Sequence, residues 1–169
     1  MAMKDALLQE FDQEMATTRK LLVAAPERDA AWKPHPKSFS LGDLTVHIAN
    51  MIGWTAPTLK DTEFNMNPPG GTPWVPPTWQ SKAAMLDSFD AKVAEARAAI
   101  EATSDADFMV PWSLKSGEQT LLTLPRIAVL RTFVLSHVIH HRGQLSVYLR
   151  LRDVPVPSIY GQSADEKGQ

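Results

Sequence analysis

Four runs of apolar residues at three- and four-residue spacing, separated by proline-bearing breaks, constrain this chain more tightly than any other feature. In the first, Leu8, Phe11, Met15, Thr18 and Leu22 fall on one helical face, and Pro26 disfavours helix at the residue before it, so the segment ends near Ala25. The second opens on Ser40-Leu41-Gly42-Asp43, a capping-box pattern, and carries Leu44, His47, Ile48, Met51, Thr55 and Leu59 inward. The third follows Pro76-Pro77-Thr78, with Thr78 or Ser81 as its cap and Met85, Phe89, Val93, Ala96 and Ile100 as its stripe. The fourth starts near Pro125, a residue tolerated in a first helical turn, and its stripe is Leu130, Val134, His137, His141, Leu145 and Tyr148.

Four such helices joined by short and long connections predict an all-α fold, a four-helix bundle with long crossover loops. Asp61 to Pro77 is one such crossover, rich in proline and glycine; Thr103 to Thr123 is another, with Lys115-Ser116-Gly117-Glu118 able to turn a short hairpin near Met109-Val110 and Leu121-Leu122. At 169 residues the chain is expected to form one domain spanning 1–169, with 154–169 an extended, partly frayed tail.

Composition removes several function classes. A formal net charge of -2 lacks the basic footprint of a nucleic-acid partner. No apolar run is long enough for a transmembrane helix, and the first residues lack a signal-peptide apolar core; the expectation is a cytoplasmic protein without membrane association. With 0 cysteines, any metal must be held by histidine and carboxylate. No phosphate-binding glycine loop and no serine-nucleophile elbow occur, and Ser136 does not face His137, its neighbour on the helix.

The histidines carry the chemistry. His137 and His141 are one turn apart on an apolar stripe, and His47 sits on the stripe of another helix. Buried imidazoles need partners for their nitrogens. Two readings stand: core hydrogen bonding, or one shared metal ion. Three protein ligands leave a coordination position open, the arrangement of catalytic zinc rather than structural zinc. Imidazole suits zinc, nickel, iron or copper, with zinc or nickel the first expectation. Asp43, Asn50 and Gln144 lie within a turn of a ligand and are candidates to orient one, Asp43 having capping as a competing role. His140 points away from the His137–His141 line and has a supporting role at most. Arg142 is expected to face solvent or a partner subunit, and Gly143 to mark a close helix crossing. The tryptophans 32, 54, 74, 79 and 112 read as core or loop anchors, and His35, between prolines, as an exposed loop residue.

The block from Leu135 to Leu145 (Leu-Ser-His-Val-Ile-His-His-Arg-Gly-Gln-Leu), continuing through Tyr148-Leu149-Arg150 to Val154-Pro155 and Tyr160-Gly161, resembles the C-terminal signature of the DinB/YfiT-like superfamily. Trp32-Lys33-Pro34, Ser40 to Asp43 and His47-Ile48 are similar to that family's second-helix motif. The resemblance implies a four-helix bundle, often a homodimer, holding a divalent metal on His47, His137 and His141. It also implies thiol-dependent transfer to a small electrophile, with a low-molecular-weight thiol as co-substrate. Metal-assisted hydrolysis and a non-enzymatic, metal-binding stress-response dimer are the alternatives, and no catalytic side chain beyond the ligands is assigned.

Overall fold

Each apolar stripe folds as helix. The computed structural model describes residues 2–166. Helix α1 is Met3–Ala24, and the chain turns extended at Ala25, one residue ahead of Pro26. Helix α2, Leu41–Met51, tightens into a 3-10 turn at Ile52–Trp54 and resumes as α3, Thr55–Lys60. Pro57 explains the break, because it has no N–H to donate to the carbonyl of Gly53 four residues back. Helix α4 is Lys82–Ala102; its N-cap is Ser81, not Thr78, and the Ser81 hydroxyl accepts from the Ala84 N–H. A short helix α5, Asp105–Phe108, follows.

The last helical stretch is not uniform. It begins as α6, Arg126–Val129, widens to π geometry at Leu130–Leu135, and continues as α7, Ser136–Leu151. The inserted π turn ends two residues before His137 and sets the rotation of everything after it.

Helix α1 packs on α4 and α7, and α2 packs on the same two helices. The shared interior is filled by residues the stripes select, among them Phe11, Leu44, Ile48, Phe89, Ile100 and Leu145. Val93 and Tyr148 lie at its margin. Burying one such side chain contributes about 1.5–3 kcal/mol, so this interior is the main source of stability. Among the described residues, no helix is long and apolar enough to cross a membrane.

A small sheet adds to the all-helical expectation. Strand β1, Glu63–Asn65, runs parallel to β2, Pro111–Ser116, which pairs antiparallel with β3, Gln119–Pro125. The hairpin turns where expected, at Gly117-Glu118, and Gly117 takes φ 62°, a left-handed conformation that glycine adopts without strain. Its strands are longer than Met109-Val110 and Leu121-Leu122 suggest. The crossover after α3 is thus partly ordered as an edge strand: Asn65 Oδ1 accepts from the Gly117 N–H and its Nδ2 donates to the Gly117 carbonyl.

Two expectations are corrected. Arg142 faces the interior: its side chain is 1% exposed and its Nη1 lies 2.6 Å from Glu14 Oε2. The guanidinium also donates to the Glu14 carbonyl, Thr18 Oγ1 and the Tyr160 hydroxyl, which itself donates to Glu14. Gly143 is exposed, and a Cβ there would meet nothing within 4 Å, so no helix crosses at it in this chain. The tail from 154 to 166 is irregular, bending at 159–161 and turning at 164–166, and is bonded back to the body: Arg150 pairs with Asp165, and Tyr160 joins the Arg142–Glu14 network. The part of the expectation of fraying that falls on 167–169 lies outside the described residues.

Candidate metal centre

The residues that build the centre come from two packed helices. On α2, the Ser40 hydroxyl accepts from the Asp43 N–H at 3.1 Å and donates to the Asp43 carboxylate at 2.7 Å. The carboxylate thus caps through the hydroxyl instead of reaching the Ser40 backbone, and Asp43 serves the helix end. Leu44 and Ile48 are fully buried, and this fixes the rotation that carries His47, between them, to the edge of the interior. Gly42 lets the chain close over this helix start: a Cβ there would lie 2.8 Å from the Trp79 ring. On α7, Val138 and Leu145 are buried and play the same part for His137 and His141. The Arg142–Glu14 pair adds a second lock one residue from His141, tying α7 to α1.

His47, His137 and His141 come together, each offering a ring nitrogen, and these atoms lie within 4.8 Å of one another. His47 Nε2 is 3.1 Å from His141 Nε2 and 3.5 Å from His137 Nε2. Tetrahedral coordination at a zinc–nitrogen distance of about 2.0–2.1 Å separates two ligand nitrogens by about 3.4 Å, so the spacing fits three ligands of one ion. His141 Nδ1 is 2.6 Å from Gln144 Oε1. If the amide oxygen is the partner, it can only accept, so Nδ1 carries the proton and Nε2 presents its lone pair to the centre. The His137 ring directs its Nε2 at His47. A single proton can satisfy only one of the two Nε2 contacts of His47; a cation satisfies all three nitrogens together.

The electrostatics favour the neutral, ligating form of each ring. Burial, then the neighbouring His141 and His137 rings, hold the His47 imidazole down to about 4. Burial also lowers His137, reinforced by His140. His141 is lowered chiefly by burial, against the opposing pull of the Gln144 hydrogen bond.

Other candidates separate from the centre. His140 is exposed, with its ring centroid 4.8 Å from that of His141, and is not in the cluster. Asn50 does not touch a histidine nitrogen; its Oδ1 accepts from Lys92 Nζ at 3.2 Å. Gln144 does make the orienting contact. His35 is exposed in its loop. Trp112 is buried, Trp32 packs edge-on against Tyr148 at 5.5 Å, and Trp54 meets both Phe64 and Trp74.

The sequence reading missed Phe39 beside the centre. Phe39 stacks on His47 with centroids 5.2 Å apart and stands edge-on to His141. Phe39, His47, Asn50, Pro77 and Thr78 line a hollow of about 200 Å³ beside the histidines. Phe39 directly precedes the Ser40 cap, the only hint of its place; Pro77 and Thr78, at the end of the long crossover, are carried back to α2 by that connection.

Comparison with known proteins agrees with this architecture. The model of the DinB superfamily matches residues 10–145. A DinB-like protein of Bacillus cereus ATCC 10987 superposes with a TM-score of 0.71 at 21% identity, covering 92% of this chain and 97% of that one. A DinB-like protein of Bacillus subtilis gives 0.69 at 19% identity, covering 93% and 98%. Among curated proteins, none matches.

Proposed function

This chain belongs to the DinB superfamily, and from that premise we propose that it is a divalent-metal-dependent enzyme whose ion is held by His47, His137 and His141. The observation that carries the reading is the convergence of three imidazole nitrogens, two of them 3.1 and 3.5 Å from the third, with His47 also lining a hollow. The four long helical segments are read as a four-helix bundle forming one domain. Zinc and nickel suit the all-imidazole donor set.

The proposed reaction is transfer of a low-molecular-weight thiol to a small electrophile. An ion held by His47, His137 and His141 would supply Lewis acidity that favours the deprotonated form of a thiol. The remaining work falls to the chain. Gln144 keeps the Nδ1 proton on His141 and fixes its ring. Phe39 covers one side of the His47 ring and limits water there. The hollow leaves room for a second reactant next to the first. In the net reaction a carbon–sulfur bond forms, the bond to the leaving group breaks, and the thiol proton passes to solvent.

Protein reconstituted with zinc or nickel, incubated with a thiol and 1-chloro-2,4-dinitrobenzene, is expected to release chloride and form the thioether faster than the uncatalysed mixture. Chelation is expected to abolish the difference. Metal-dependent turnover of an ester without any thiol requirement would replace transfer by hydrolysis. Large metal-dependent stabilisation without turnover would favour the non-enzymatic reading.

A further inference from the structure

Lys92 on α4 has no carboxylate partner among the described residues. Its ammonium donates to Ser88 Oγ at 2.9 Å and to Asn50 Oδ1 at 3.2 Å. Both acceptors are neutral, and an ammonium has three donors, so among the described residues one N–H has no protein partner and the charge no anionic one. Half-burial depresses its pKa, as expected for a cation without an anion beside it. The side chain is held in place: a Cβ on Gly53 would come within 3.2 Å of Lys92 Cδ and Cε, so the lysine stem lies directly over that glycine.

Lys92 stands where hollows meet. It lines one of about 170 Å³ together with Asn50, Trp54, Phe64 and Trp74. Asn50 also lines the hollow that contains His47. Because ammonium can only donate, the Asn50 amide must turn its oxygen toward Lys92, which leaves its NH2 group for a ligand. Trp54 forms an aromatic wall with Phe64, centroids 4.9 Å apart, and with Trp74 at 5.8 Å. One cation, one free amide donor and a wall of three aromatic rings thus line a cleft that shares Asn50 with the hollow beside His47.

We infer that this cleft binds a small organic carboxylate with an apolar or aromatic body, its carboxylate on Lys92 Nζ and Asn50 Nδ2 and its body against Trp54 and Trp74. The inference rests on the proposed function for its role, since it places a charged substrate beside the metal centre, but the binding site stands on residues that hold no metal. Charge-assisted hydrogen bonds contribute about 1.5–3 kcal/mol, so the acid should bind about tenfold or more tighter than a neutral isostere.

The test is titration calorimetry with 3-phenylpropionate and 3-phenylpropanamide on metal-free protein, so that the carboxylate cannot ligate an ion. Tryptophan fluorescence reports whether the probe reaches Trp54 and Trp74. The expected result is saturable binding of the acid, at least tenfold preference over the amide, and loss of that preference in Lys92→Met, whose stem still covers Gly53. Circular dichroism and metal uptake of the variant should match those of the unaltered protein. Equal affinity for acid and amide, or no saturable binding of the acid, overturns the inference on the unaltered protein alone, whether or not Lys92→Met folds. A preference that appears only on metal loading and survives Lys92→Met also overturns it. Metal uptake measured alongside separates these outcomes from failure of the metal centre itself.

Discussion

At the residue scale, the centre depends on a few atoms whose partners define their roles. Gln144 accepts from His141 Nδ1, and removing it in Gln144→Leu should weaken metal binding by about 10–100-fold without unfolding the protein; competition with a chromophoric chelator measures this. Arg142 is structural. In Arg142→Met the Glu14 carboxylate remains buried without its counter-charge, and the expected loss is about 3–5 kcal/mol in denaturant unfolding. A loss under 1 kcal/mol would show that the pair is not buried as described. Protonation gives a third expectation. The His47 imidazole titrates at about 4 in the folded protein against 6.5 in a model peptide. As pH falls, the unfolded chain therefore takes up this proton first. Metal-free protein should lose stability between about pH 6.5 and about pH 4, with no further contribution from His47 below that. Thermal melts across this window, compared with His47→Leu, check the sign: the variant should show a shallower fall.

At the element scale, the π turn at Leu130–Leu135 decides which face of α7 meets α2. The π turn takes up one residue more than regular α geometry, so deleting the exposed Thr132 should restore the α-helix and leave 136–151 facing α2 much as before. Helical circular dichroism and metal uptake should both persist, and lost uptake would show that the π turn itself is needed to aim His137 and His141. This element also marks where sequence reading stops. The stripes of α1, α2, α4 and α7 were legible because burial repeats at the helical period, and the same periodicity singled out His47, His137 and His141 while setting His140 aside. The π turn adds one residue inside an apolar run, where any register looks apolar. Strand β1 has three residues within a proline- and glycine-rich stretch, too short to show alternation. Arg142 looked like a surface charge because its partner, Glu14, lies on α1, and only packing brings them together. Phe39 and Lys92 reach the cleft in the same way, through tertiary contacts that leave no local pattern.

At the scale of the whole molecule, the centre joins α2 to α7 across the interior, so an ion there should stabilise the entire fold. A ligand at 100 times its Kd stabilises the native state by about 2.7 kcal/mol, which predicts a Tm rise on zinc or nickel addition that chelator reverses. In the double variant His137→Ala/His141→Ala the rise should vanish. The homodimer proposed from the family resemblance predicts a solution mass twice the 18.7 kDa of the chain, readable by light scattering; a mass of one chain would remove it without touching the centre. The most direct test is anomalous diffraction at the metal absorption edges from crystals of metal-reconstituted protein. One peak bonded to the Nε2 atoms of His47, His137 and His141 is the predicted result. No anomalous peak among those three nitrogens, in crystals grown from protein saturated with zinc or nickel, would contradict the account.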